Sequence, residues 1–156
     1  MTHKVVEVRE GSAYAGTKVP FSTSASQIKK MLEKYGCTTI GEMQKAGEKY
    51  PLHTLVFEHH GINYIIEFPV TFYVSQGGRV KKLNMNISGR IIHDRMKALL
   101  IAVDIDYMSF RQAMMECLAV AGPSGRPVSL AQQVEECGEQ LQQGFNILQC
   151  LPGGDR

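Results

Sequence analysis

One segment restricts the fold more than any other: TLVFEHHGINYIIEFPV, residues 54–70, in which apolar and polar residues alternate on both sides of His60 and Gly61. Alternation at a period of two is typical of β-strands, and a two-residue turn that contains Gly closes a β-hairpin. With this turn His59 pairs with Ile62, and the next facing pairs are Phe57 with Tyr64, Leu55 with Ile66 and His53 with Phe68. One face then collects Leu55, Phe57, Ile62, Tyr64, Ile66 and Phe68, so we expect a sheet that is covered mainly on one side.

The segments around the hairpin supply a further strand and a helix. Residues 38–44 have a weak strand pattern and complete a three-stranded antiparallel meander. Before them, Ser24 is placed to cap a helix, with Gln27 three residues on as in a capping box, and Gly36 follows the last turn. The apolar face of this helix consists of Ile28, Met31, Leu32 and Tyr35.

The remaining chain has a strand at its start and helices towards its end. Residues 3–10 are a strand pattern, followed by a mobile connection at 11–17, whereas 75–84 is a polar connection. The helical period resumes near Ser88, and further helices are predicted at 109–119, capped by Ser109, and at 129–144, after a turn at 122–127. In the last helix Leu130, Val134, Cys137 and Leu141 point inward. The sequence thus predicts a strand or arm at 1–17 and one α+β domain at 18–156, with an antiparallel meander covered by helices and a helical C-terminal half.

Composition excludes several classes of protein. Apolar residues make up 44% and charged residues 21% of the 156 residues, as in an ordinary globular protein, and there is neither a membrane-spanning run nor a secretory signal. The four cysteines have neither a CxxC nor a zinc-knuckle spacing. We expect a cytoplasmic protein with free thiols and no membrane association.

The stretch RIIHDRMKALLIAVDIDYMSF, residues 90–110, carries both apolar and charged residues on one predicted helix. At about 100° per residue the apolar positions fill two arcs. The first arc is Ile92, Met96, Leu99, Leu100 and Val103, and the second is Ile91, Ala98, Ile101, Ala102 and Ile105. A helix with two apolar sides is expected to pack on the sheet with one and on later helices with the other. His93, Lys97 and Asp104 form a polar stripe between the arcs.

The residues of this chain do not form a recognisable catalytic or metal motif. His59 and His60 are adjacent on a strand and point to opposite faces, and no GxSxG or GxxxxGK[ST] sequence occurs. We therefore predict no catalytic residues, no metal site and no cofactor. A pocket between sheet and helices would use Tyr64, His93, Lys97 and Asp104 as its ligand-binding residues.

Charge is distributed unevenly along the chain. Residues 1–100 hold 14 Lys and Arg against 8 Asp and Glu, whereas residues 101–156 hold 3 against 7. A basic patch that binds phosphate backbones would consist of Lys29, Lys30, Lys34, Arg79, Lys81 and Lys82. Nucleic acid is therefore one candidate partner.

Several segments resemble a family of small uncharacterised bacterial proteins carried by phages and other mobile elements, including integron gene cassettes. They are VPFSTSASQIKKMLEKYGCTT, LVFEHHGINYIIEFPV, DRMKALLIAV, MMECLAV with GRPVSLAQQVEE, and GFNILQCLPGG. The resemblance covers roughly residues 18–153. It implies a single domain with a cytoplasmic accessory role on a mobile element, and it supplies no catalytic residues.

Three functions remain open from the sequence. The favoured one is a non-enzymatic binding or adaptor protein that self-associates as a homo-dimer or other homo-oligomer, in which an unpaired strand at residues 3–10 could extend a neighbour's sheet. Its protein partner is not identified. The alternatives are nucleic-acid binding through the basic N-terminal two thirds, and a small-molecule-binding protein or enzyme.

Overall fold

Helices and strands are mixed along the chain in the computed structural model, which describes residues 4–46, 49–122 and 125–135. The elements are β1 (Val5–Arg9), α1 (Phe21–Lys34), β2 (Thr38–Ala46), β3 (Pro51–His59), β4 (Ile62–Glu67), β5 (Val70–Val74), β6 (Lys81–Leu83), α2 (Met85–Asp104), α3 (Phe110–Ala113), a 3-10 turn (Met115–Cys117), β7 (Ala119–Ala121) and β8 (Pro127–Ser129). Residues 130–135 are also helical. The predicted α+β class is confirmed.

The alternating segment forms the hairpin that the sequence predicts. β3 and β4 pair antiparallel with His59 opposite Ile62 and Phe57 opposite Tyr64. His60 and Gly61 both have positive φ, +50° and +76°, the conformation of a tight two-residue hairpin turn. β2 pairs antiparallel with the other edge of β3, so the predicted three-stranded meander is confirmed in the order β2-β3-β4.

The structure also contains a second three-stranded sheet, in the order β1-β5-β6, which the sequence pattern does not predict. β5 pairs in parallel with β1, Val5 opposite Val70, and antiparallel with β6. The prediction of a connection at 75–84 is therefore wrong for 81–83. The sequence left open whether the N-terminal strand pairs within the chain, and in the structure β1 is bonded along one edge to β5. Strands of three to five residues contain too few alternations to be recognised without their distant partners.

The first helix begins one turn earlier than predicted. α1 starts at Phe21 after Pro20, and its first amide is bonded by a residue 65 positions away, since Phe21 N donates to Oδ1 of Asn86 at 3.0 Å. Ser24 is not a cap but is buried inside the helix. The predicted end is confirmed, because Gly36 follows the last turn with φ +81°.

The long predicted helix is α2, and it runs alongside α1 in the same direction. Near its start, a Cβ on Gly89 would lie 3.1 Å from Cβ of Ser24 and from a ring carbon of Phe21. Near its end, the Tyr35 hydroxyl reaches the Leu100 carbonyl oxygen at 3.1 Å. The Asn84 side chain caps α2 by accepting from the amide of Asn86. The absence of a side chain at Gly89 therefore lets the first turns of both helices approach closely.

The region after α2 is less helical than predicted. The expected helix at 109–119 is reduced to α3 and a 3-10 turn. Ser109 caps α3 as predicted, and the structure shows that it does so in a capping box with Gln112. The chain then forms the β7–β8 hairpin, and Leu118 makes a single antiparallel bridge to Tyr64. The last predicted helix begins at 130, but Val134 is 57% exposed rather than inward. Cys137 and Leu141 lie outside the described residues.

The main core lies between the meander and the two long helices. The predicted inner faces meet there: Ile28 and Leu32 of α1, Ile92, Met96 and Leu100 of α2, and Leu55, Phe57, Tyr64, Ile66 and Phe68 of the hairpin segment. Met31, Tyr35 and Ile62 pack at its margin. The prediction that helices cover one face of the meander is confirmed.

Candidate functional site

An apolar surface on α2 faces solvent in the described part of the chain. The outer face of α2 consists of Ala98, Ile101, Ala102 and Ile105, which lie on one side of the helix because they are spaced by three, four and seven residues. Ile101 is 50% exposed and Ile105 is 70% exposed, and Tyr107, just beyond the helix end, is 77% exposed. Single exposed apolar residues are ordinary, but large ones next to each other mark a contact surface.

This surface corrects the expectation that both arcs of the helix are buried. The first arc packs on the sheet as predicted, with Ile92, Met96 and Leu100 buried. The second arc, expected to pack on later helices, has Ala98, Ile101 and Ile105 exposed and the other two positions half-buried. Of the later helices expected to cover it, the one at 109–119 is reduced to α3 and the 3-10 turn, and the one at 129–144 is described only as far as residue 135.

Charged residues on α2 lie in its middle and at its end. The middle carries Arg90, Asp94, Arg95 and Lys97, whereas Asp104 is the last residue of the helix and Asp106 lies just beyond it. Within α2, Arg90 forms an ion pair with Asp94 at 3.0 Å, and Arg95 pairs with Glu116 of the 3-10 turn. In the described part of the chain no carboxylate lies within ion-pair distance of Lys97. Lys97 is therefore the exposed cation of α2 without an acidic partner among the described residues, and the carboxylates of Asp104 and Asp106 lie at the helix end.

Three side chains surround the Asp94 carboxylate. Its Oδ1 lies 2.7 Å from Nδ1 of His93, which is only 8% exposed, and the Arg90 guanidinium and Tyr14 hydroxyl also approach it. Burial raises the pKa of Asp94, but the His93 hydrogen bond, the Arg90 charge and the Tyr14 hydroxyl together lower it below its ordinary value. These contacts connect α2 with the segment that contains Tyr14. The buried histidine thus has a structural role at the edge of the helix.

Asp104 connects the ends of the two long helices. The Tyr35 hydroxyl donates to its Oδ1 at 2.5 Å. Burial, followed by the hydrogen bond to Asp104 and the negative charge of Asp104, raises the pKa of Tyr35 to about 12. The phenol therefore stays protonated at physiological pH and keeps donating to the carboxylate.

The four predicted ligand-binding residues do not converge. Tyr64 is 1% exposed, stacks on Phe57 at 5.2 Å, and its hydroxyl has no hydrogen-bond partner among the described residues. His93 is engaged by Asp94, Asp104 is engaged by Tyr35, and Lys97 is exposed. They therefore belong to the core, to the edge of α2 and to solvent rather than to one pocket.

A cavity of about 620 Å³ lies elsewhere, at the connection between β6 and α2. Its walls include Tyr73, Lys82, Asn84 and Asn86, and none of the four predicted ligand-binding residues lines it. The amides of Asn86 and Ser88 are already bonded by side chains of the fold at 3.1 Å. The start of α2 therefore has few free donors for an anion.

The predicted basic residues lie on two different parts of the fold. Lys29, Lys30 and Lys34 are on α1, and Lys29 pairs with Glu42 of β2 at 2.9 Å. Arg79, Lys81 and Lys82 are in or beside β6, where Lys81 pairs with Glu7 and lies 4.9 Å from the centre of the Phe72 ring.

The described residues contain neither a metal-binding cluster nor a membrane-spanning helix. No group of three or more His, Cys, Asp or Glu side chains in that part of the chain is arranged to hold a metal ion. Among the same residues, none of the helices has both the length and the apolar character required to cross a membrane.

Comparison with known proteins returned no match of any kind: no family model matches the chain, and neither the curated proteins nor the solved structures include a significant match. The outer face of α2 is therefore identified from its exposure alone. The sequence pattern had located its residues in the second arc, but it assigned them to the interior.

Proposed function

We propose that this chain is a non-enzymatic binding or adaptor protein that self-associates through the outer face of α2. The observation that carries the proposal is the exposure of Ile101 and Ile105 on one face of the helix whose opposite side is buried in the core. Removing about 100 Å² of apolar surface from water contributes about 2.5 kcal/mol, so such a face favours association.

A second copy is the occupant that the charges favour. A helix with an exposed Lys97 seven residues before the exposed Asp104 at its end is complementary to another copy of itself in the reverse direction. Ala98 lies in the same face and has only a methyl group, so that two helix backbones can approach closely there. Both features are self-complementary, as a two-fold symmetric contact requires.

The alternatives have weaker support. An enzyme or small-molecule site would need convergent polar groups, whereas His93 and Asp104 are separately engaged. A nucleic-acid surface would need one basic patch, whereas Lys29 and Lys81 pair with different acidic residues on different sheets. The contact proposed on α2 requires neither convergent polar groups nor a single basic patch.

The accessory role on a mobile element, which the family resemblance implies, is part of the same proposal. A dimeric adaptor without its own chemistry fits such a role. The genes next to this one are the direct test, because an accessory protein of a mobile element would be encoded beside recombinase, phage or cassette genes.

Sedimentation analysis of the full chain over a wide concentration range tests self-association. We expect a concentration-dependent dimer, and we expect Ile101→Glu to raise its dissociation constant at least tenfold, since an anchor side chain contributes more than about 1.4 kcal/mol. Val80→Glu is the matched control, because Val80 is 52% exposed and lies on the loop before β6 rather than on the outer face of α2. A wild-type chain that stays monomeric at about 1 mM would contradict the proposal, because even a Kd of about 1 mM corresponds to a binding free energy of only about −4 kcal/mol.

A further inference from the structure

We infer that two copies of α2 cross antiparallel near Ile101, so that Lys97 of each copy pairs with the partner's Asp104. The inference rests on the proposed function, because it describes the geometry of the same contact. It gives the Asp104 carboxylate a second partner besides Tyr35, which is its only described side-chain partner within the chain.

The positions of the charges on α2 lead to the antiparallel direction. Lys97 and Asp104 are seven residues apart and therefore lie along one edge of the outer face, with Ile101 midway between them. When two identical helices are related by a two-fold axis and run antiparallel, this edge of one copy adjoins the same edge of the other. Residues equally far before and after the crossing then face each other, which brings Lys97 opposite the partner's Asp104 twice.

A parallel pair would bring different edges together. The Lys97 edge would then adjoin the opposite edge of the partner helix, which carries Arg95 and Ala102. Lys97 would meet Arg95 there instead of a carboxylate. This contact between like charges disfavours the parallel arrangement.

The existing contacts of these two residues leave them available. Lys97 is exposed, and in the described part of the chain it pairs with no carboxylate. Asp104 is exposed too, and its Oδ1 accepts from Tyr35 at 2.5 Å. This bond holds the carboxylate in place at the end of α2, and its other oxygen can accept from the partner's Lys97.

A charge-reversal cycle on the full chain tests the direction. We expect Lys97→Glu and Asp104→Lys each to raise the dissociation constant of the dimer about tenfold, because each replaces two attractions by two repulsions, and the double variant to recover most of the wild-type affinity. Lys30→Glu is the control for net charge, since Lys30 is exposed on α1 rather than α2. A double variant as weak as the sum of the single variants would overturn the inference.

Spin labels provide a measurement that does not change Asp104. Labels are attached to a cysteine at position 97 or at position 90 in a Cys137→Ser, Cys150→Ser background. Cys37 and Cys117 are kept because they react poorly with the label: Cys37 is buried, and burial raises the pKa of the Cys117 thiol to about 11. In the antiparallel pair, equivalent labels are offset along the helix by about 12 Å at position 97 and about 33 Å at position 90. Equal distances at the two positions would show a parallel pair and overturn the inference.

The two proposals fail in distinguishable ways. A chain that sediments only as a monomer removes the proposed function and the inference with it. A dimer that Ile101→Glu disrupts, but whose labels lie equally far apart at both positions, keeps the proposed function and removes the antiparallel direction alone.

Discussion

At the residue scale, His59 is the group whose environment the sequence did not indicate. Its ring lies 4.0 Å from that of Phe110, and its Nε2 is 3.1 Å from the Tyr35 carbonyl oxygen at the end of α1. Burial, followed by the positive charge that His60 can carry, lowers the pKa of His59 below its ordinary value, with a smaller contribution from Arg111 and an opposing one from the Tyr35 hydrogen bond. The sequence placed His59 correctly at the end of a strand, but Phe110, which covers it, is 51 positions further along the chain.

This lowered pKa predicts a loss of stability in mild acid. The folded chain prefers neutral His59 more strongly than the unfolded chain does, so the stabilisation is complete above the unfolded pKa of about 6.5 and is lost as the pH falls through the lower folded pKa. We expect the free energy of unfolding, measured by urea titration at several pH values, to fall between pH 7 and pH 5. His59→Asn should flatten this fall, whereas His60→Asn should change it less, because His60 contributes only the second cause. Equal slopes for His59→Asn and the wild-type chain would contradict this explanation.

At the element scale, the contact between α1 and α2 depends on Gly89. Glycine inside a helix normally lowers stability by about 1 kcal/mol relative to alanine, so its presence near the start of a predicted helix is unfavourable from sequence alone. The structure provides the reason, since a Cβ there would also lie 3.3 Å from the backbone Cα of Phe21. Local propensity is overruled by the close approach of another helix.

We therefore expect Gly89→Val to destabilise the fold by about 2 kcal/mol, since overpacking of a close contact costs about 1–3 kcal/mol. Urea unfolding at a concentration where the chain is monomeric measures this. Lys30→Val provides the comparison, because it introduces the same side chain at an exposed helical position. If both variants lose the same small amount of stability, the contact between the first turns is not a tight one.

At the scale of the whole molecule, the N-terminal strand is the element whose place in the fold is least evident from the sequence. β1 pairs with β5, and Val8 is only 8% exposed although Val5, three residues earlier in the same strand, is 54% exposed. The sequence predicts a strand or arm at 1–17 beside a domain at 18–156. In the structure Val5–Arg9 of that segment pair with β5 in a second sheet.

Two matched substitutions measure the contribution of this strand. We expect Val8→Ala to lower the free energy of unfolding by about 2 kcal/mol, since two buried carbons are removed, and Val5→Ala to change it by less than about 0.5 kcal/mol. Both are measured by chemical denaturation of the full chain. Equal and small effects would show that the strand contributes little to the folded molecule.

Periodicity alone determined the hairpin and its register, the inner face of α1, the first arc of α2 and the α+β class, because these depend on residues close to one another in sequence. Only the tertiary structure decided which elements meet. The short strands β5 and β6 acquire their identity from pairing with each other and with β1, and Gly89 acquires its role from Phe21 and Ser24. For the second arc of α2, the sequence shows that Ile101 and Ile105 are apolar on one side of a helix. Whether that side is covered depends on how many layers pack around it, and in the described residues nothing covers these two side chains.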